Sequence, residues 1–246
     1  MSAIPGFAPQ WPAPPNVRTW VTERGSAGRY GTLNLALHVG DDAAAVAANR
    51  GRLRTALQLV SEPRWLEQVH GTRIVDVDRD AEAAPAADGS VTGRAGVVCA
   101  VLTADCLPVL FCDAAGRRVG TAHAGWRGLL HGVLPAAVAA LRCPPDEMLA
   151  WLGPAIGQAA YEVGAEVREA FVGRDAAADR RFAPNARGRW QADLCGLARD
   201  ELARCGVRSV HGGGYCTYTE AERFFSHRRE APCGRMATLI WLDRTA

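Results

Sequence analysis

No lysine occurs anywhere in the 246 residues; all 28 basic side chains are arginine. Schiff-base chemistry, pyridoxal phosphate attachment and a Walker-type phosphate loop each require a lysine, so those mechanisms are excluded. The six histidines include no His-x-His pair, and the eight cysteines form no C-x-x-C pair. No run reaches the ~18 consecutive apolar residues of a membrane span. The opening stretch, MSAIPGFAPQWPAPP, has five prolines and no basic segment ahead of an apolar one, so it is not expected to act as a secretion signal. Excess charge is also lacking. The balance of 28 basic against 26 acidic residues leaves +2, which gives no electrostatic footing for nucleic acid or an anionic membrane. Without a secretion signal, the cysteines are expected to be reduced thiols in a cytoplasmic protein. The glycine triplet Gly212–Gly214 lacks the G-x-G-x-x-G layout of a dinucleotide loop.

What is present is globular: 48% hydrophobic and 22% charged residues. A chain of this length buries ~70–75% of its unfolded surface and needs no disulfide staples. Residues 1–15 read as a Pro-rich lead-in. Val17–Thr22 reads as a strand, and Arg24–Gly31, rich in Gly and Ser, as a mobile loop. Asp41 and Asp42 are N-cap candidates for a helix running to about Val60, with Val46, Leu53, Leu57 and Val60 at helical spacing. Arg64–His70 and Thr72–Val77 are expected strands, and Asp78–Gly93 a loop. Gly96–Leu102 is a continuous apolar run of the kind found in a strand covered on both faces. Leu107–Cys112 and Arg118–Ala122 should be strands joined by a turn at Asp113–Gly116. Trp126–Leu141 should be one helix, kinked at Pro135. Further strands are expected at Met148–Leu152, Val207–Val210 and Met236–Trp241, and helices at Gly164–Val172 and Asp193–Cys205. Strands and helices mix without a βαβ rhythm, a 20–50-residue repeat or an interdomain linker. The expectation is an α/β fold, a single domain over 1–246 with mixed sheets.

Ligand-type residues gather where apolar strands end: Glu67-Gln68-Val69-His70-Gly71, Thr103-Ala104-Asp105-Cys106, and Thr121-Ala122-His123-Ala124-Gly125-Trp126-Arg127-Gly128. Strand ends are where α/β folds build sites. Two imidazoles and a thiolate, from His70, Cys106 and His123, suit zinc. Three protein ligands also leave a fourth position for water, whose pKa zinc lowers to ~7. Asp105 beside Cys106 could orient a ligand or accept a proton. The same trio admits a metal-free reading, in which a His activates Cys106 as a thiolate nucleophile. His38, His211 and His227 have weaker cases; His131 reads as structural and Cys99 as core.

These segments resemble the YfiH-type laccase-domain, or polyphenol oxidase, family, also described as multifunctional purine nucleoside phosphorylases. The shared motifs run in order along most of the chain: LNLALHVGDD (33–42) with Asn49-Arg50, QVHG (68–71), TADC (103–106), HAGWRG (123–128), LGPAIG (152–157), YEVG (161–164) and FFSHRR (224–229). The resemblance implies a YfiH-like α/β fold with mixed sheets between helices, and metal ligation by His70, Cys106 and His123. It implies phosphorolysis of adenosine, inosine, guanosine and methylthioadenosine, and deamination of adenosine with Asp105 as a candidate proton shuttle. It places Asn34, Arg50 and Arg228 on substrate or phosphate. His227 departs from the family pattern, where an aromatic Tyr is expected. The implied partners are small molecules, a purine nucleoside and phosphate. An alternative within the family is a Cys/His amide hydrolase that edits a UDP-muramic-acid peptidoglycan precursor carrying L-Ser. Copper-dependent polyphenol oxidation is a further alternative. A multicopper oxidase, however, needs several His-x-His pairs beside a His₂Cys site, and this chain has none, although a His₂Cys site could take copper.

Overall fold

Two uninterrupted apolar runs, 98–102 and 107–112, set the layout, because a strand apolar on both faces must be covered on both. The structure, a computed structural model, describes residues 4–80 and 82–243. Its strands, in chain order, are β1 Gly6–Phe7, β2 Val17–Thr22, β3 Ile74–Asp76, β4 Gly89–Thr92, β5 Val98–Thr103, β6 Leu107–Asp113, β7 Val119–Ala124, β8 Met148–Leu152, β9 Glu162–Val163, β10 Phe182–Pro184, β11 Trp190–Ala192, β12 Ser209–Gly212 and β13 Met236–Leu242. The helices are α1 Ala43–Ala56, α2 Trp126–His131, α3 Val133–Leu141, α4 Ala165–Arg174, α5 Leu194–Arg204 and α6 His227–Glu230. A four-stranded sheet runs β1-β2-β13-β5, a six-stranded sheet β12-β8-β6-β7-β4-β3, and a small one β10-β11-β9. The β12–β8 and β3–β4 pairs are parallel and the others antiparallel, so the fold is mixed α/β. Among the described residues no helix is long and apolar enough to cross a membrane.

Alternation along each strand assigns its two faces. Cys99 of β5, Leu110 and Cys112 of β6 and Ile240 of β13 meet between the two large sheets. Val98, Ala100 and Leu102 point the other way, onto Leu53 of α1 and Leu33 and Leu35 of the preceding segment. Val109 and Phe111 face α2–α5 through Leu129, Leu134, Phe171 and Leu197. The order of layers is therefore α1, sheet, sheet, helices. The β6–β7 turn is locked by Asp113, which is 2% exposed. Its carboxylate accepts from Arg117 N (2.6 Å), Arg118 N (2.8 Å) and Arg117 Nε (2.9 Å). Burial alone would raise this carboxyl, but those donors and the Arg117 charge outweigh it and hold it below the usual range.

Asp113→Asn replaces an acceptor by an NH₂ facing N–H groups and is expected to cost ~1–3 kcal/mol at neutral pH. A depressed carboxyl stabilises the fold above its unfolded pKa of ~3.9, and that gain is lost as pH falls through the folded value. Thermal midpoints of parent and variant should therefore converge on acidification; a constant gap would exclude this account.

Several expectations change. The 126–141 helix is broken at Gly132, whose φ of 97° ends α2, and Pro135 kinks nothing because it lies in the first turn of α3. Helix α1, capped by Asp42 as expected, stops at Ala56, and Val60 is 63% exposed. Arg64–His70 is not a strand; its β-pairing is limited to isolated bridges at Arg64 and Glu67. The expected loop 78–93 contains β4, a strand of the six-stranded sheet. A Cβ at Gly89 would collide with the Thr121 carbonyl oxygen, so this glycine marks close backbone approach rather than a turn. The lead-in supplies β1 and the buried Ile4, while residues 1–3 lie outside the described residues. The 24–31 segment is a loop, fastened by its own buried Arg24 to the carbonyls of Ser26, Gly28 and Ala221 and to Glu230.

Candidate metal centre

Strand β5 belongs to one large sheet and β6 to the other, so the chain crosses between sheets over Ala104–Cys106. Asp105 makes that crossing with φ 89°, and Cys106 is delivered to the sheet ends beside His123 of β7. His70 arrives from the irregular segment before β3, with φ 59°. Two non-glycine residues in the left-handed region at one site are the sort of backbone that surrounding contacts must hold in place.

The three side chains that sequence brought together do converge. The ligand atoms of His70, Cys106 and His123 all lie within 4.8 Å of one another. Cys106 Sγ is 3.8 Å from His70 Nε2, and the two imidazole centroids are 4.7 Å apart at 75°. Gly125 keeps the centre open, because a Cβ there would meet Cys106 Sγ at 3.0 Å and His70 Cδ2 at 3.1 Å. His123 is buried, Cys106 half-buried and His70 exposed, so the cluster runs from core to solvent.

The residue that holds the cluster together is Asp88, which the sequence reading left inside a loop. It is fully buried just before β4. His123 Nδ1 donates to its Oδ1 (2.8 Å), which leaves Nε2 as the nitrogen free to act as a ligand once deprotonated. Its carboxylate also accepts from the backbone N–H groups of Val69 (3.3 Å), His70 (2.9 Å) and Gly71 (2.6 Å). One carboxylate thereby fixes an imidazole on β7 and the backbone that carries the other. Burial would raise the Asp88 carboxyl, but His123 and the Gly71 and His70 N–H groups hold it below the usual range.

Burial would also push the Cys106 thiol up, yet the His123 charge and the hydrogen bonds of both imidazoles bring it down to about 6. His123 moves the opposite way, to about 9: burial would lower it, but the Cys106 thiolate and Asp88 prevail. The centre is therefore a preformed thiolate among imidazoles. Soft sulfur, two nitrogens and a carboxylate behind one imidazole are the donor set and outer support that zinc takes. A count of three protein ligands rather than four is that of an open site.

The centre forms one wall of a cavity of about 360 Å³, within the ~300–1,000 Å³ of small-molecule sites. Asp105 and Arg228, both expected here, line it. Asp105 Oδ1 accepts from Thr217 Oγ1 and Oδ2 from Arg228 N, both at 2.6 Å, so this carboxylate clasps the segments that carry the cavity wall. Asn34 and Arg50 are not among the lining residues. The Asn34 amide donates to Ala36 O and Asp41 and accepts from Ala36 N and Arg235 N, which exhausts its capacity. Arg50 gives Nε and Nη2 to Leu35 O and lies 4.2 Å over the Trp65 ring, with Nη1 unengaged among the described residues. His38, His227, Arg127, Tyr161 and Arg235 also line the cavity. Arg127 and Tyr161 lie inside the motifs HAGWRG and YEVG, a signal that was readable; Arg235 had none. His38 is lowered by burial first and then by Arg235 and Arg50. Cys99 is core, as expected, while His211 is tied to Ser209 Oγ at 2.8 Å.

The family model described as multi-copper polyphenol oxidoreductase laccase matches residues 18–243. A purine nucleoside phosphorylase of Pseudomonas aeruginosa is 51% identical over 241 residues, covering 96% of this chain and 98% of the relative. The purine nucleoside phosphorylase YfiH of Escherichia coli K12 is 50% identical over 239 residues, again covering 96% and 98%. Among solved structures, Neisseria meningitidis protein NMB0706 superposes with a TM-score of 0.92 at 48% identity, covering 97% of this chain and 99% of that one. YlmD of Geobacillus stearothermophilus gives 0.86 at 30% identity, covering 99% and 98%.

Proposed function

The chain belongs to the family described as multi-copper polyphenol oxidoreductase laccase, and from that premise we propose that it is a zinc-dependent purine nucleoside phosphorylase. The observation that carries this reading is the pairing of the His70–Cys106–His123 cluster with a cavity lined by three arginines. Relatives named as purine nucleoside phosphorylases support it. In phosphorolysis a phosphate oxygen bonds to C1′ of the sugar, the C1′–N bond breaks, and the purine leaves with the electron pair and takes a proton. His70, Cys106 and His123 would hold zinc, which supplies a Lewis acid at the cavity wall. Arginine side chains in the cavity neutralise phosphate and present it by paired hydrogen bonds. Asp105 serves this reading chiefly by placing Arg228, through the bond to its backbone N–H. Adenosine, inosine, guanosine and methylthioadenosine are the proposed substrates, with adenosine deamination as a second reaction and the cytoplasm as its location.

Protein of verified metal content, incubated with inosine and phosphate, is expected to release hypoxanthine and ribose 1-phosphate, and to release neither without phosphate. Failure to form both products would reject the reading. Adenosine should in addition release ammonia. The lowered thiol of Cys106 favours a second reading, a Cys/His hydrolase acting through a thioester; that activity would survive chelation. Multicopper oxidation is disfavoured by the donor set. Among the described residues one three-ligand cluster is found, whereas a copper cluster needs further histidine pairs.

A further inference from the structure

Most arginines of this molecule sit in ion pairs; Arg127, Arg228 and Arg235 of the cavity have no carboxylate within ion-pair distance among the described residues. Asp105, the carboxylate that lines the same cavity, has both oxygens engaged by Thr217 and the Arg228 backbone. The cavity thus sets three arginines, none of them ion-paired among the described residues, against the single carboxylate of Asp105. Its cations are not equivalent. Arg235 spends NH1 on the carbonyls of Cys233 and Gly234 and lies on the His38 side. Arg127 is stacked on the Trp126 ring at 4.4 Å and donates no hydrogen bond within the described residues. Arg228 gives NH1 to Glu162 O at 2.8 Å and lies 5.5 Å over the Tyr161 ring, with its other N–H groups unspent.

Tyr161 lines the same cavity as these arginines and the cysteine–histidine centre. Its backbone is fixed, since N donates to Gly157 O and O accepts from Ala192 N. Its hydroxyl has no hydrogen-bond partner among the described residues, although it lies within electrostatic reach of Cys106, Arg228, Asp105 and Arg127. Burial, and then the Cys106 thiolate, push this phenol above its ordinary range, so it stays a donor throughout the working pH range.

We propose that Arg127, Arg228 and the Tyr161 hydroxyl form the seat of inorganic phosphate. This rests on the phosphorolysis reading of the same cavity. The two guanidiniums neutralise the anion and the phenol supplies a directed third donor. An oxygen of the phosphate is then presented beside the cysteine–histidine centre, where it bonds to C1′ as the C1′–N bond breaks, the electron pair leaves on the purine and solvent supplies the proton.

The test uses zinc-loaded protein and Tyr161→Phe, which removes only the hydroxyl, together with Arg127→Ala. Calorimetric titration with inorganic phosphate should show binding about tenfold weaker in each variant, the loss expected of one hydrogen bond to a charged group. The KM for phosphate should rise in parallel, while the KM for inosine and the zinc content stay at parental values. Arg127→Ala should also flatten the salt dependence of phosphate binding. Parental phosphate affinity in both variants would overturn the seat, even if the parent phosphorolyses inosine. If the parent turns over no nucleoside yet loses phosphate affinity in both variants, the phosphorolysis reading fails and the anion seat stands. A parent that binds no phosphate refutes the seat outright.

Discussion

Cys106→Ala is expected to abolish phosphorolysis while leaving a folded chain. The side chain is half-buried at a crossing between sheets, and alanine fills that position without adding bulk, so the thermal midpoint should move little in the metal-free state. The loss of activity should exceed the ~10–100-fold that removal of an outer hydrogen-bond partner of a metal ligand costs, because a ligand itself is gone. Elemental analysis should find parental protein with about one zinc per chain and the variant with far less. Dialysis of the parent against a chelator should reproduce the variant, with zinc restoring activity. Activity that persists after verified metal removal, and is lost only on alkylation of Cys106, would instead establish the thiol hydrolase.

Asp88 should prove nearly as consequential without touching substrate. Asp88→Asn keeps the shape but puts an NH₂ group against N–H donors. Either His123 Nδ1 with His70 N, or Val69 N with Gly71 N, then loses its acceptor. Zinc affinity, measured by competition with a chromophoric chelator, is expected to fall ~10–100-fold, and turnover at limiting zinc should fall with it. Asp88→Ala strands the whole donor set and removes one partner of a buried pair, for which ~3–5 kcal/mol of stability is expected to be lost. Saturating zinc should restore much of the Asp88→Asn turnover. Parental zinc affinity in Asp88→Asn would show that His123 and the His70 backbone are positioned by packing alone.

The site was legible in sequence to the extent that its residues carry their chemistry in their identity. Two imidazoles with a glycine just after them and a thiol between apolar runs pointed to His70, His123 and Cys106 before any contact was seen, and Gly125 now has its reason in the space it leaves them. Asp88 escaped because an aspartate before a glycine in a polar stretch reads as a turn. Only the pairing of β4 with β7 puts it behind His123. Asn34 and Arg50, placed on substrate or phosphate by the family resemblance, lie outside the cavity lining, where Asn34 bonds to Ala36 and Asp41 and Arg50 to Leu35 O and the Trp65 ring.

What the chain determined by itself is therefore the local chemistry and the doubly buried strands, since apolar runs and side-chain type need no partner to be read. The convergence of three ligands from separate segments was decided by tertiary structure. So were the exclusion of two polar candidates from the cavity and the gathering of arginines that find no carboxylate. Those properties depend on which distant segments the packed sheets bring within hydrogen-bonding distance, and no local pattern encodes that.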